Sequence, residues 1–196
     1  MKRFIFATML VSACTLATTH ANTTYIQANA GHSSFEFDYS GELTESTVSY
    51  GIAIGQAMEN GTRYAVDYSR LADEKEQLGE NSYAKAKIDS VGISGFYDFK
   101  NNTPITPYVG VRLSANRIGI DGENFILAND YGIPIADVQY LHYRDTQMGA
   151  GAVVGVQYQV APNLAIDGAV EYNYLGKIGD TKVEQYGAKA GVRLDF

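Results

Sequence analysis

The chain has little of what catalytic, metal-binding and helical membrane proteins depend on. It contains no tryptophan, one cysteine, three histidines and four prolines. Beyond residue 21, no stretch approaches the run of about 18 apolar residues that predicts a transmembrane helix. Acidic residues outnumber basic ones, 22 against 15, for a net charge of −7. This charge argues against a nucleic-acid-binding protein, because that affinity comes from lysine and arginine on phosphates.

The N-terminus predicts an export signal. Positive residues Lys2 and Arg3 precede an apolar stretch, Phe4 to Ala13, and a small residue, Ala21, follows. We predict a signal peptide over 1–21 and one mature domain over 22–196, with a net charge of −9 once Lys2 and Arg3 are removed. The alternative is a lipoprotein box ending in Cys14, which would then be lipidated. Cleavage after Ala21 leaves no cysteine, and therefore no disulfide or thiolate chemistry.

The last segment shows the clearest local pattern. From Tyr186 to Phe196, apolar residues occupy the even positions, and polar residues and glycine occupy the odd ones. Successive side chains of a strand point to opposite faces, so the pattern predicts a strand with one apolar and one polar face. The segment stops on the aromatic Phe196, an ending common among outer-membrane barrels.

Seven earlier segments repeat this alternation. One example is Val109 to Asn116, where Val111 and Leu113 oppose Arg112 and Ser114. The first segment, about Tyr25 to Phe37, is the least regular. Eight alternating segments predict an all-β fold, an eight-stranded antiparallel transmembrane β-barrel. The other segments have their apolar residues within 48–54, 64–68, 91–99, 148–160 and 164–174.

The links between segments alternate in length. Short links rich in Gly, Pro and Asn cover Asn60 to Thr62, Lys100 to Ile105 and Ala161 to Asn163. Longer links cover Asp38 to Glu45, Leu71 to Lys85, Asp121 to Arg144 and Lys177 to Val183. This alternation is typical of bacterial barrels, with short periplasmic turns and, here, four extracellular loops.

A soluble β-sandwich would also alternate, so the apolar face has to separate the two folds. That face carries tyrosine at several strand ends and Val, Ile, Ala and Leu between them. This distribution resembles a lipid-facing band with aromatic girdles. In lipid an open sheet edge leaves unpaired backbone groups, so the sheet must close into a barrel.

The polar face predicts a charged interior. One interpretation is a polar pore or a catalytic cluster, and the other is a network of paired charges that fills a narrow lumen. We favour the second, because an eight-stranded barrel is only wide enough for side chains and because both signs of charge are available. The predicted network contains Arg63, Asp67, Arg112, Asp167, Glu171, Lys189 and Arg193, with Asp195 also facing inward.

The remaining motifs give little support for catalysis. A lipid-hydrolysing barrel would use a histidine with a serine at its rim, and Ser33 and Ser34 follow His32, but no local motif joins them. Only His32 and His142 remain in the mature chain, with no cysteine, so no metal-ligand spacing exists. We predict that the protein is not an enzyme and uses no metal or other cofactor.

The third long link is unusually apolar for an exposed loop. Its candidate contact residues are Phe125, Tyr131, Tyr140, His142 and Tyr143. Such residues suit a contact surface for lipid or for a host protein. The alternative is that both ends of the link continue the hairpin beyond the membrane and meet lipopolysaccharide.

Several segments resemble the opacity (Opa) family of outer-membrane proteins. They are Pro107 to Arg117, Val160 to Asp167, Tyr172 to Lys177 and Gly191 to Phe196, with Ala65 to Ser69 and Tyr97 to Phe99. In size and motifs the chain is more similar to the shorter neisserial surface proteins of this kind than to the long-looped opacity proteins. The resemblance implies an eight-stranded barrel in the bacterial outer membrane. Opacity proteins are adhesins that bind host receptors through long hypervariable loops, whereas the predicted loops here are moderate or short.

The leading functional hypothesis is therefore a surface-exposed outer-membrane protein that binds or adheres through its extracellular loops. The alternatives are a structural envelope protein without a specific ligand and a rim-site lipid enzyme. The expected partners are outer-membrane lipids, lipopolysaccharide and host cell-surface molecules, with no nucleic acid, and the expected state is a monomer.

Overall fold

The computed structural model describes residues 22–37, 43–79, 82–128, 134–178 and 181–196. Eight strands form one closed barrel in which each strand pairs antiparallel with the next, and β1 pairs with β8 to close the sheet. This confirms the predicted fold class. The strands are β1 (Thr23–Phe37), β2 (Leu43–Ala57), β3 (Thr62–Gly79), β4 (Ser82–Asp98), β5 (Ile105–Ala128), β6 (Pro134–Ala161), β7 (Leu164–Ile178) and β8 (Thr181–Asp195). Within these residues, no helix has the length and hydrophobicity needed to cross a bilayer.

The two faces of the sheet differ as the alternation predicts. Val111 and Leu113 are 67% and 58% exposed, whereas the side chain of Arg112 between them is 11% exposed. An apolar surface of this kind is favourable only against lipid, so it is the membrane-facing band. Tyrosines border the band at its upper end, where Tyr50, Tyr68, Tyr172 and Tyr186 lie; Tyr97, Phe99 and Tyr158 lie at the lower end.

The predicted short turns are present. In the β2–β3 turn, the Gly61 amide donates to the Met58 carbonyl, and the Asn60 side chain accepts from the Thr62 amide. Gly61 has φ of +88°, a conformation that favours glycine. The tight turn sets Arg63 inside the barrel, because it fixes the residue at which β3 begins.

The predicted loops are too long, because strand pairing continues into them. Pairing between β3 and β4 continues to Gly79↔Ser82, and pairing between β5 and β6 continues to Ala128↔Pro134. Residues 71–85 and 121–144 are therefore mostly hairpin, which supports the alternative in which the strands extend beyond the membrane. The alternation signal is lost there because strands above the bilayer no longer separate lipid from interior. Likewise, β7 continues to Ile178 and β8 begins at Thr181, while residues 38–42 of the first link lie outside the described residues.

Candidate functional site

The periplasmic half of the lumen is organised around Arg63. Its side chain is 1% exposed, and its Nε lies 2.8 Å from both carboxylate oxygens of Asp98. The guanidinium also lies 4.7 Å from the ring centroid of Phe96 and 4.8 Å from that of Tyr108. The ion pair and the ring faces together compensate a cation that burial would otherwise strongly disfavour.

A second guanidinium lies in the same layer. Arg193 donates from Nε to Asp195 at 2.7 Å and from Nη1 to the side-chain oxygen of Gln157 at 2.9 Å. Its guanidinium carbon is 4.4 Å from the ring centroid of Tyr25, which the Arg63 guanidinium also approaches, at 5.8 Å. Tyr25 is therefore held between two cations and is 1% exposed.

Asp167 is an exception to charge pairing among the described lumen residues. It is 1% exposed, and its Oδ1 accepts a hydrogen bond from the Tyr108 hydroxyl at 3.2 Å. Its other oxygen has no hydrogen-bond donor among the described residues. The charge network thus includes a carboxylate whose described partner is a neutral phenol.

The centre of the lumen holds the pair of Arg112 and Asp67, whose closest atoms are 2.5 Å apart. Arg112 also donates to the Ser90 hydroxyl at 2.9 Å, and Asp67 accepts from Ser94 at 3.3 Å. Space for the guanidinium comes from Gly92, where an added Cβ would lie 2.5 Å from Arg112 Nε. The glycines of the polar face therefore make room for long side chains from neighbouring strands.

The other side of the same layer is an ion pair joined to an amide chain. Lys189 Nζ lies 2.5 Å from Glu171, and the Gln185 amide donates to Glu171 at 3.3 Å and to Ser33 at 3.0 Å. The Asn173 amide in turn donates to Gln185 at 2.6 Å. These bonds join β1, β7 and β8 across the interior and fix the orientation of each side chain.

An apolar cluster closes the extracellular end of the polar interior. Leu175 and Val183 are fully buried, although neither was among the residues expected inside the barrel. A layer of this composition separates the polar lumen from external water. Its members are Phe35, Leu71, Ala72, Ile88, Ile118, Leu175 and Val183.

The interior is consequently filled. The cavity lined by Tyr25, Arg63, Asp67, Arg112 and Lys189 has a volume of about 50 Å³. That is room for one or a few water molecules and not for a continuous aqueous path. The described geometry is that of a packed polar core, as expected of an eight-stranded barrel.

The extracellular ends of β5 and β6 form the other prominent feature. These strands have 24 and 28 residues, whereas a strand of about 9–11 residues spans a bilayer. At the base of their hairpin, His142 Nδ1 lies 2.5 Å from Asp121, and the next residue, Tyr143, donates from its hydroxyl to Asp145 at 3.3 Å. Adjacent strand residues point to opposite faces, so His142 and Tyr143 do not share one surface.

Comparison with known proteins identifies the family of this barrel. Residues 54–196 match the sequence profile described as "Opacity family porin protein". The chain belongs to the opacity family.

Individual relatives agree with this family assignment. "Protein opa" of Haemophilus influenzae is 33% identical over 68% of this chain and 98% of its own length. "Opacity protein opA55" of Neisseria gonorrhoeae is 28% identical over 70% of this chain and 67% of its own length. The crystal structure of neisserial surface protein A superposes with a TM-score of 0.69 at 32% identity, covering 88% of this chain and 97% of that one. The protein is thus an opacity-family β-barrel of the bacterial outer membrane.

The lumen residues named from the sequence of this opacity-family barrel all lie on its inner face. Ion pairs join Arg112 to Asp67, Lys189 to Glu171 and Arg193 to Asp195. The partner of Arg63 is Asp98, which sequence reasoning left out of the network although it lies on the polar face of its segment. Tyr25 was missed because the first strand alternates least clearly.

The contact residues named for the extracellular side are only partly described. The backbones of Phe125 and Tyr140 lie within β5 and β6, where Phe125 pairs with Val138 and Tyr140 pairs with Glu123. Their side chains, and the whole of Tyr131, lie outside the described residues. Of the two serines considered beside His32, Ser33 is fully buried on the inner face. Ser34 shares the outer face with the exposed His32, and its hydroxyl lies 3.1 Å from that of Ser46. Among the described residues, no three His, Cys, Asp or Glu side chains converge on a metal position.

Proposed function

We propose that this opacity-family barrel binds a molecule on host cells through its β5–β6 hairpin, and so acts as an adhesin. The observation that carries the proposal is the length of the hairpin. From Arg117, the first charged residue above the membrane-facing band, to Ala128 at the end of β5, about 12 residues continue in paired strand. At about 3.3 Å per residue this is roughly 40 Å of strand beyond the apolar membrane-facing band.

The filled interior supports a role at the surface. Transport through the barrel would require a path past the Arg63 and Arg112 layers and then past the apolar cluster. Each of these layers is packed, and the cavity between them is about 50 Å³. A rigid scaffold with extended hairpins is the arrangement in which surface segments carry binding.

The test is a hairpin-shortened variant. Gly122 pairs with Leu141, so residues 123–140 can be replaced by Asn-Gly, the preferred two-residue hairpin turn, without changing the register below. We expect this variant to fold and to lose binding to host epithelial cells, measured with labelled protein in lipid nanodiscs.

The matched control shortens the neighbouring hairpin. Lys75 pairs with Lys85, so residues 76–84 can be replaced by the same turn, and this variant should keep its cell binding.

A third variant tests the aromatic residues of the hairpin by combining Tyr131→Ser, Tyr140→Ser and Tyr143→Ser. It should bind cells more weakly, and the salt dependence of binding should change little, because the contact is expected to be aromatic. Unchanged cell binding by the variant lacking 123–140 would instead favour a structural envelope protein, and release of fatty acid from lipid would favour a rim-site enzyme.

A further inference from the structure

The outer surface of the barrel changes from apolar to charged along a sharp row on β3 to β5. Tyr68 and Val91 pair with each other and belong to the exposed band. Two residues above them, Arg70 pairs with Asp89, and Asp89 pairs with Arg117 on β5. This row lies directly above the lipid-facing surface, at the level of the outer-leaflet head groups.

Three cations lie beside one position in the next row, and Asp121 lies two residues further along the same strand on the same face. Gly119 pairs with Lys87 on β4 and with Arg144 on β6, and Arg117 lies two residues earlier on its own strand and on the same face. A Cβ placed on Gly119 would meet no atom closer than the Lys87 carbonyl oxygen at 3.8 Å and Arg144 Cγ at 3.9 Å. The space above Gly119 is therefore open. We refer to Gly119 with Lys87, Arg117 and Arg144 as the Gly119 cradle.

The cations of the cradle keep unused hydrogen-bonding capacity. Arg144 is 51% exposed in its side chain and only reaches Asp121 at 4.0 Å, while Lys87 lies 3.3 Å from Asp89. Arg117 is exposed, and within the described part of the chain it has no carboxylate at ion-pair distance. A guanidinium has five N–H donors, so both arginines can accept a further anionic partner.

The opposite side of the barrel differs at the corresponding level. There Glu36 of β1 pairs directly with Glu184 of β8, in the row above Tyr186. Two facing carboxylates repel an anion, whereas the row that leads to the cradle contains two guanidinium groups. Lys177 and Lys182 lie higher on that side, near the β7–β8 end, where they pair with each other in the register. The surface is thus electrostatically one-sided where the membrane ends.

We propose that the Gly119 cradle binds a phosphate group of lipid A, the phosphorylated glycolipid of the outer leaflet. Arginine matches phosphate with paired N–H donors, and Lys87 adds a compact third charge. The lipid acyl chains would lie along the exposed apolar band directly below, on residues such as Leu113 and Met148. Position supports lipid A over a soluble anion, because the cradle lies on the outer wall above that band rather than in the mouth of the barrel.

The test measures binding of lipid A to the full-length mature protein in detergent micelles, through the rise in thermal unfolding midpoint as bisphosphorylated lipid A is added. The variant combines Arg117→Gln and Arg144→Gln, both at exposed positions. The control combines Lys177→Gln and Lys182→Gln, which removes the same charge from the other side of the barrel. We expect apparent affinity at least about tenfold weaker in the arginine variant and unchanged in the lysine control.

A second variant tests the open space itself. Gly119→Asp introduces a carboxylate between the three cations at a position where its Cβ meets no close atom, and it should cause the same loss of affinity. Equal affinity in both cradle variants and the wild type would overturn the proposal, as would an equal loss in the lysine control. Equal binding of dephosphorylated lipid A would show recognition of acyl chains alone. An equal effect of inorganic phosphate at the same concentration would show a free-anion site instead.

The proposal is independent of host-cell binding. Replacing residues 123–140 leaves the pair Asp121↔His142 and every residue of the cradle in place. Loss of cell binding in that variant and loss of lipid A binding in the cradle variants are therefore separate outcomes.

Discussion

Replacing Arg63 with methionine tests whether the lumen is a paired network. Methionine keeps apolar contact with Phe96 and Tyr108 but leaves the Asp98 carboxylate, 8% exposed, without its cation. Breaking one side of a buried ion pair costs about 3–5 kcal/mol, because the remaining charge is uncompensated. The variant's unfolding equilibrium should therefore shift by roughly two to three and a half powers of ten.

The second part of this experiment is the double variant with Arg63→Met and Asp98→Asn. Removing both charges leaves no uncompensated ion, so it should be more stable than the single Arg63→Met variant. The control is Arg70→Met on the outer wall, where the pair with Asp89 is partly exposed and its loss should cost less than about 1 kcal/mol.

The assay has to suit a chain without tryptophan. Urea titration of the protein in lipid vesicles can be followed by the gel mobility shift between folded and unfolded barrel. The single Asp98→Asn variant completes the cycle. A change below about 1 kcal/mol for Arg63→Met, or a double variant destabilised by the sum of the Arg63→Met and Asp98→Asn effects, would refute a coupled buried pair.

Three further predictions address other layers and the extracellular side. Purified protein in planar bilayers should show no stable conductance steps, and large steady steps would contradict a filled lumen. Leu175→Ala should lower the free energy of unfolding by about 2–5 kcal/mol, since this residue is fully buried in the apolar cluster, while Leu113→Ala on the lipid side should cost less; equal effects would argue against the cluster. Lys85 hydrogen-bonds Asp73 and lowers the pKa of that carboxyl. The stability that this ion pair adds to the folded hairpin is present above the unfolded carboxyl pKa of about 3.9, and it is lost as pH falls through the lower folded pKa. Amide exchange in the β3–β4 hairpin, corrected for intrinsic rate, should therefore speed up on acidification. Unchanged protection would count against a stabilising role of the Lys85–Asp73 pair.

The sequence by itself determined the barrel because one physical rule acts on every membrane-crossing residue. Lipid outside and side chains inside impose a strict period of two, so Val111, Arg112 and Leu113 could be assigned to faces from order alone. Turn chemistry located the Gly61 turn separately, since glycine there adopts a positive φ.

Above the membrane this constraint no longer applies, and there the predicted strand boundaries were wrong. Both faces of the β5–β6 hairpin meet surroundings that are no longer lipid, so the sequence from Asp121 to Arg144 lost its alternation and was interpreted as a loop. Leu175 and Val183 were missed for a related reason, because apolar residues there point inward and reverse the pattern that identifies the lipid face.

Only the tertiary structure decided which groups become neighbours across the barrel. Alternation predicts that Arg63 and Asp98 point inward, but their contact depends on the register between β3 and β4. In the same way, Arg112 reaches Asp67 through the space that Gly92 leaves free. The Gly119 cradle is likewise assembled from three strands, with Lys87 and Arg144 each set beside Gly119 by inter-strand pairing. A strand's own sequence determines which way a side chain faces, whereas the partner it meets is determined by the closure of the sheet.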